Sequence, residues 1–169
     1  MMSDEILSLI KSGSLEKVED QKTDNKATWL IFKIGNDEAG KNLCAIPAEK
    51  VKEILRDADV FPLPFVPPYV NGLLNRYGDP YVVVDSAIIE GKEAQNSLLF
   101  IVLNDESHTC LRITDVKDFF TEDVNSVVPF DENELSEFYE GTIKVEGQDV
   151  YIMNVQAIIE KVGNEIAAA

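Results

Sequence analysis

The sequence predicts a mainly β fold built as two similar small barrels or a sandwich, and two observations carry this. Short β-rich runs, about nine or ten of them, recur at roughly 8–12-residue spacing with few helical stretches between them. In addition, Gly72, Gly78 and Asp85 are separated by six and seven residues, and so are Gly141, Gly147 and Asn154. Each set surrounds a hairpin, so the chain contains an internal repeat that implies two similar units. At 169 residues it is one domain by length, able to bury about 70% of its unfolded surface.

The elements follow in order. Ser3 caps a short predicted helix whose stripe is Ile6, Leu7, Leu9 and Ile10, ending at Gly13. Such a helix is marginal alone, so docking on the domain is expected over a mobile arm. Residues 19–27 are polar and linker-like, which sets 1–27 apart from a single domain over 28–162, with 163–169 as a tail. Within the domain, subdomains of approximately 38–96 and 97–153 are expected, with strands exchanged at the ends. Trp29 to Gly35 and Leu43 to Ile46 read as strands around a turn at 36–40. Pro47 to Arg56 reads as a helical turn or irregular segment with Val51, Ile54 and Leu55 inward.

Pro62, Pro64, Pro67 and Pro68 then hold the backbone extended, since each ring fixes φ and restricts the residue before it. Gly72-Leu73-Leu74, a reversal from Asn75 to Pro80 and the strand Tyr81 to Asp85 form a rigid hairpin; Asn75 and Gly78 tolerate positive φ there. Ser86 to Ile89 is one helical turn, stopped by Gly91. A second unit opens with the continuous apolar run Leu98 to Leu103, suited to burial on both faces. Thr109 to Ile113 returns, and Asp115 to Glu122 carries Val116, Phe119 and Phe120. After an acidic stretch near 131–140, residues 141–145 and 150–153 make the last hairpin. Asn154 to Val162 closes as a helix with Val155, Ile158, Ile159 and Val162 inward.

Charge narrows the partners. Lys plus Arg number 15 against 31 Asp plus Glu, a net charge of −16. Such a surface repels phosphate backbones and anionic headgroups, which argues against nucleic acid and against direct membrane insertion. It favours a partner with a basic face. No run approaches the ~20 apolar residues of a membrane span, and the first residues lack a basic signal-peptide region. Cys44 and Cys110 lie in apolar runs and read as buried free thiols, so a cytoplasmic setting is expected.

Catalysis needs convergent acids, bases, nucleophiles or ligands. The single histidine, His108, sits in a hydrophilic turn, and no Cys-x-x-Cys, His-x-x-x-His or phosphate loop occurs. Asp85 and Asn154 end apolar strands and read as caps of the following helical turns. Hence no catalytic, metal or cofactor-binding residue is assigned, and no cofactor is expected. Among apolar residues, Phe61, Phe65, Val66 and Tyr69 read as core, although not all can be buried among prolines. Tyr77 beside Arg76 at a hairpin tip is either a binding hot spot or packs back between the barrels.

The stretch FPLPFVPPYVNGLLNRYGDPYVVVDS, residues 61–86, resembles the signature of the CheW-like domain family, the coupling proteins of bacterial chemotaxis. Gly72, Leu73, Leu74, Asn75, Gly78, Val83, Val84 and Asp85 fall in register with it. Trp29 to Ile34 resembles the family's opening strand, Val51 to Leu55 its V-x-E-I-L segment, and Gly141 to Asn154 its closing hairpin, so the likeness covers about 28–160. Three positions depart: Tyr77 stands at the family's arginine with a charge moved to Arg76, Val82 at a usual proline, and Asn154 at a usual Asp.

The resemblance implies two SH3-like five-stranded β-barrel subdomains around a shared core, with short N- and C-terminal helices. It also implies a non-catalytic adaptor that couples the cytoplasmic tip of a chemoreceptor to the regulatory domain of a CheA-type histidine kinase. Partner-binding residues are then expected at Asn75, Arg76, Tyr77, Gly78, Val70, Leu73 and Ile54. Gly72, Asp85, Gly141, Gly147 and Asn154 are expected to serve turns and caps. The alternatives are a divergent scaffold of another signalling complex, or a small acidic ligand-binding or hydrolytic barrel using Asp85 or the acidic loops.

Overall fold

A computed structural model of the chain describes residues 25–35, 43–130 and 137–168. The expected N-terminal helix and the turn at 36–40 lie outside them. Contacts divide the chain into two units, one of Met1–Ala27 with Thr121–Ser126 and one of Thr28–Phe120 with Val127–Ala169. In the described part of the smaller unit, the Val124 amide donates to the Asn25 carbonyl at 2.8 Å, and Val124–Ser126 forms a 3-10 turn.

The strands are β1 (Lys26–Lys33), β2 (Leu43–Pro47), β3 (Val51–Arg56), β4 (Val70–Arg76), β5 (Asp79–Asp85), β6 (Leu99–Leu103), β7 (Thr109–Ile113), β8 (Asp115–Asp123), β9 (Val128–Pro129), β10 (Tyr139–Val145) and β11 (Gln148–Met153). Helix α1 spans Ser86–Ile89 and α2 spans Val155–Ala168. One sheet has the order β8-β1-β2-β11-β10-β9 and the other β3-β6-β7-β5-β4. The fold is mainly β, as expected. The barrels are not closed, because the edge strands β3 and β4 make no ladder with each other, and β8 none with β9 or β10.

The internal repeat explains the layout. Hairpin β1–β2 corresponds to β6–β7, β3 to β8, and β4–β5 to β10–β11. Under that correspondence the two sheet orders are identical, apart from β9 at one edge. Each half gives its opening hairpin to the other sheet, through the parallel pairs β2–β11 and β5–β7. The sheets therefore draw on both of the intervals 38–96 and 97–153, and the strands exchanged are the hairpins β1–β2 and β6–β7.

The glycines show why the repeat has its spacing. Both β4 and β10 bulge just before glycine, between Val70 and Gly72 and between Tyr139 and Gly141. A Cβ on Gly72 would stand 2.1 Å from the Phe61 carbonyl oxygen, and one on Gly141 would stand 2.5 Å from that of Val128. At both places a residue followed by proline crosses the strand, and only a bare Cα permits it. In the paired turns, Tyr77 and Gly78 have φ of 55° and 83°, and Glu146 and Gly147 have 51° and 81°, which fits two-residue turns with positive φ at both centres.

One core joins both sheets and α2. Leu30, Phe32, Ile46, Ile101, Leu111, Ile113, Met153 and Ile158 are all buried in it. Every residue of β6 is buried, in line with its continuous apolar run. Each such aliphatic or aromatic side chain contributes about 1.5–3 kcal/mol by leaving water. Cys44 and Cys110 are buried free thiols.

Two segments differ from the sequence reading. Val51–Arg56 is an edge strand after a 3-10 turn at Ala48–Lys50, because it pairs with β6; Val51, Glu53, Ile54 and Leu55 are all half-buried, so it lacks the alternation that usually marks a strand with one solvated face. Residues 163–168, expected as a tail, continue α2, where Ile166 packs against the core.

Asp85 and Asn154 both cap. Asp85 Oδ1 accepts from the Ala87 and Ile88 amides at 2.9 and 3.3 Å. Asn154 Oδ1 accepts from the Ala157 amide at 3.1 Å. Asp85 does more than its counterpart, since it also accepts from the Gln95 amide at 2.9 Å and from Gln95 Nε2 at 2.8 Å. It thereby ties the link between the two halves to β5.

Candidate docking surface

The β4–β5 hairpin ends in the sequence Asn75-Arg76-Tyr77-Gly78. Arg76 closes β4 opposite Asp79, and its guanidinium Nε lies 2.6 Å from Glu53 Oε1 on β3. Tyr77 projects from the turn, 71% exposed. Its hydroxyl donates to Glu53 Oε2 at 3.0 Å and accepts from an Arg76 terminal nitrogen at 3.1 Å. The Arg76 guanidinium carbon also stands 4.4 Å from the Tyr77 ring centroid, with Lys52 Nζ at 5.9 Å. Glu53 and Tyr77 raise the Arg76 pKa further above its ordinary value, so the cation is permanent.

This cluster spans the two edges of the five-stranded sheet. The Phe61–Leu73 backbone pair, 2.8 Å in each direction, and the hydrogen bond from the Val70 amide to the Pro67 carbonyl also join the segment after β3 to β4. An ion pair with exposed members is weak in water. Its effect here is to fix the direction of an exposed aromatic ring, which suits recognition.

The expected binding residues separate in the structure. Asn75, Tyr77 and Gly78 are exposed and Arg76 half-buried at the hairpin tip. Leu73 and Ile54 are half-buried; Leu73 pairs with Phe61 and Ile54 packs on the core. Val70 is 5% exposed and belongs to the core, so it offers no surface; the bulge before Gly72 turns it inward. Tyr77 does not pack back between the sheets.

Sequence reasoning missed Glu53 and Lys52, because the segment bearing them was not read as a strand. It also missed a groove of ≈ 380 Å³ lined by Val82, Ser107, Thr109, Ile159, Val162 and Ile166. The floor is apolar. Val82 lies on the strand leaving the Tyr77 turn, so groove and hairpin share β5.

Phe61 and Phe65 are also corrected. They are 61% and 92% exposed, whereas Tyr69 is buried and Val66 half-buried. Proline rings allow only some of this loop to turn inward. Tyr69 is anchored by a 2.6 Å hydrogen bond from its hydroxyl to Glu165 on α2, and burial raises its pKa.

Among the described residues, no group of three or more His, Cys, Asp or Glu could hold a metal ion. His108 is exposed beside the Tyr81 ring, 4.9 Å between centroids. No described helix is long and apolar enough to cross a membrane.

These features define a double-sheet β module whose distinctive surfaces are a presented aromatic, an apolar groove and a proline-rich loop. The CheW-like domain pattern matches residues 28–163, and the chain belongs to that family. The crystal structure of the scaffolding protein TtCheW from Thermoanaerobacter tengcongensis is similar, with a TM-score of 0.65 at 19% identity over 75% of this chain and 88% of that one. A search of curated proteins finds no match.

Proposed function

We propose that this chain is a non-catalytic chemotaxis adaptor that couples a chemoreceptor's cytoplasmic tip to the regulatory domain of a CheA-type histidine kinase. The observation that carries the reading is the CheW-like match across residues 28–163, which takes in both sheets and α2. The scaffolding role of the structurally similar TtCheW supports it. A receptor tip is a helix hairpin, and the groove between α2 and β5–β7 offers apolar side chains to the apolar face of a helix. Asn75, Arg76, Tyr77 and Gly78 form the hairpin tip that leads into β5, the strand that gives Val82 to that groove, and in this reading they contact the receptor together with Leu73 on β4 and Ile54 on β3. Coupling follows only if receptor and kinase contacts are made together, because a partner shifts kinase state solely through differential contact.

Binding of a receptor-tip fragment tests this assignment. Ile159→Asp in the groove and Tyr77→Ala at the hairpin tip each weaken that binding about tenfold or more if the assignment holds. Unchanged affinity in both would remove it.

One observation favours a second reading, a divergent scaffold serving another signalling complex. The cation at this tip is engaged by Glu53 and a tyrosine occupies the family's arginine position. Arg76→Leu with Tyr77→Arg restores the family pattern; no gain in receptor affinity would favour divergence.

A further inference from the structure

The loop between β3 and β4 presents a side chain that the fold does not use. Phe65 is 92% exposed and has φ of 58°, a left-handed conformation unfavourable for a bulky aromatic residue. The loop around it is anchored. Val66 packs on the core and Tyr69 is buried there. The Val70 amide donates to the Pro67 carbonyl at 2.9 Å, and Phe61 is paired with Leu73 through both backbone bonds. Prolines at 62, 64, 67 and 68 restrict the intervening backbone, so little conformational entropy remains to be lost on docking. A strained, pre-ordered and solvated aromatic has no role in stability. Exposed Phe61 lies on the same loop.

We propose that Phe65 is a knob that inserts into an apolar socket on the kinase regulatory domain, rimmed by lysine or arginine. This rests on the adaptor reading and adds a contact separate from the Tyr77 face. The occupant follows from shape and charge. A convex knob needs a concave receptor, which a folded domain offers and a helix hairpin lacks. Residues 57–75 carry Asp57 and Asp59 and no Lys, Arg or His, in a chain of net charge −16. That charge disfavours both a second copy and an anionic bilayer.

The test compares wild type, Phe65→Gly and Phe65→Ser in calorimetric titrations with the kinase regulatory domain. Glycine accepts the left-handed φ, so Phe65→Gly folds and keeps its melting temperature or raises it. Affinity falls roughly 30-fold in both variants, as for a buried aromatic anchor, and salt weakens the wild-type complex. Wild-type binding with unchanged affinity in both variants overturns the knob and leaves the adaptor reading intact. Absence of wild-type binding overturns both. Association of wild type, but not Phe65→Ser, with phosphatidylglycerol-containing vesicles would assign the knob to a bilayer and overturn the protein socket.

Discussion

Arg76 on β4 and Glu53 on β3 meet at 2.6 Å, joining two edge strands that share no ladder. The contact holds the Tyr77 ring against a cation at the end of an open sheet. Glu53→Gln removes the charge while keeping the side chain's size. Global stability changes little, because both partners reach solvent. The Tyr77 ring loses its fixed orientation, and receptor-fragment affinity falls severalfold with added salt reducing the difference. A double-mutant cycle over Glu53 and Arg76, read in binding and in urea unfolding, separates the two effects.

Gly72 and Gly141 predict large stability losses. Gly72→Ala forces a Cβ onto the Phe61 carbonyl, and Gly141→Ala onto that of Val128. Each costs about 3 kcal/mol or more, measured by denaturant unfolding. Gly78→Ala meets no atom within 4 Å and suffers only its φ of 83°, at about 1–2 kcal/mol. Equal effects at Gly72 and Gly78 would contradict the close crossing.

Asp85 and Asn154 occupy equivalent places with unequal work. Asn154→Ala loses one cap bond, about 1 kcal/mol. Asp85→Ala also strands the buried Gln95 backbone amide and removes one of the bonds of Gln95 Nε2, which keeps the Arg112 carbonyl, and costs about 3 kcal/mol or more. Hydrogen exchange in 90–97 should rise only in the Asp85 variant.

The buried thiols set an alkaline limit. Burial pushes both Cys44 and Cys110 up to about 12 from 9.0. The folded state thus prefers the neutral thiol, and this contribution is complete below about pH 9 and lost progressively toward 12. Stability falls on raising pH through that window, and Cys44→Ala with Cys110→Ala makes the fall shallower. Thiol reagents at pH 8 react only as fast as the protein opens.

The repeat was legible because its glycines and caps answer local backbone needs. Gly72 and Gly78 do the same jobs as Gly141 and Gly147, and Asp85 and Asn154 both cap the helical turn that follows. The strand Leu99–Leu103 was equally plain from its unbroken apolar run. Strand exchange is expected from the resemblance, but its pairings are not legible, since parallel pairs such as β5–β7 join segments far apart in sequence and leave no local mark. Glu53 went unread for a related reason: edge strand β3 has a burial pattern without clean alternation. Val70 was expected at the surface and lies inside because a bulge resets the facing of β4.

An adaptor of this kind must hold two partners at once. Calorimetric titration of the protein into the kinase regulatory domain, alone and with a saturating receptor-tip fragment, decides whether this chain does so. Saturable micromolar binding in both titrations, with a receptor-bound complex that still takes up kinase domain, is the predicted result. Folded protein that binds neither partner, or whose receptor complex excludes the kinase domain, would contradict it.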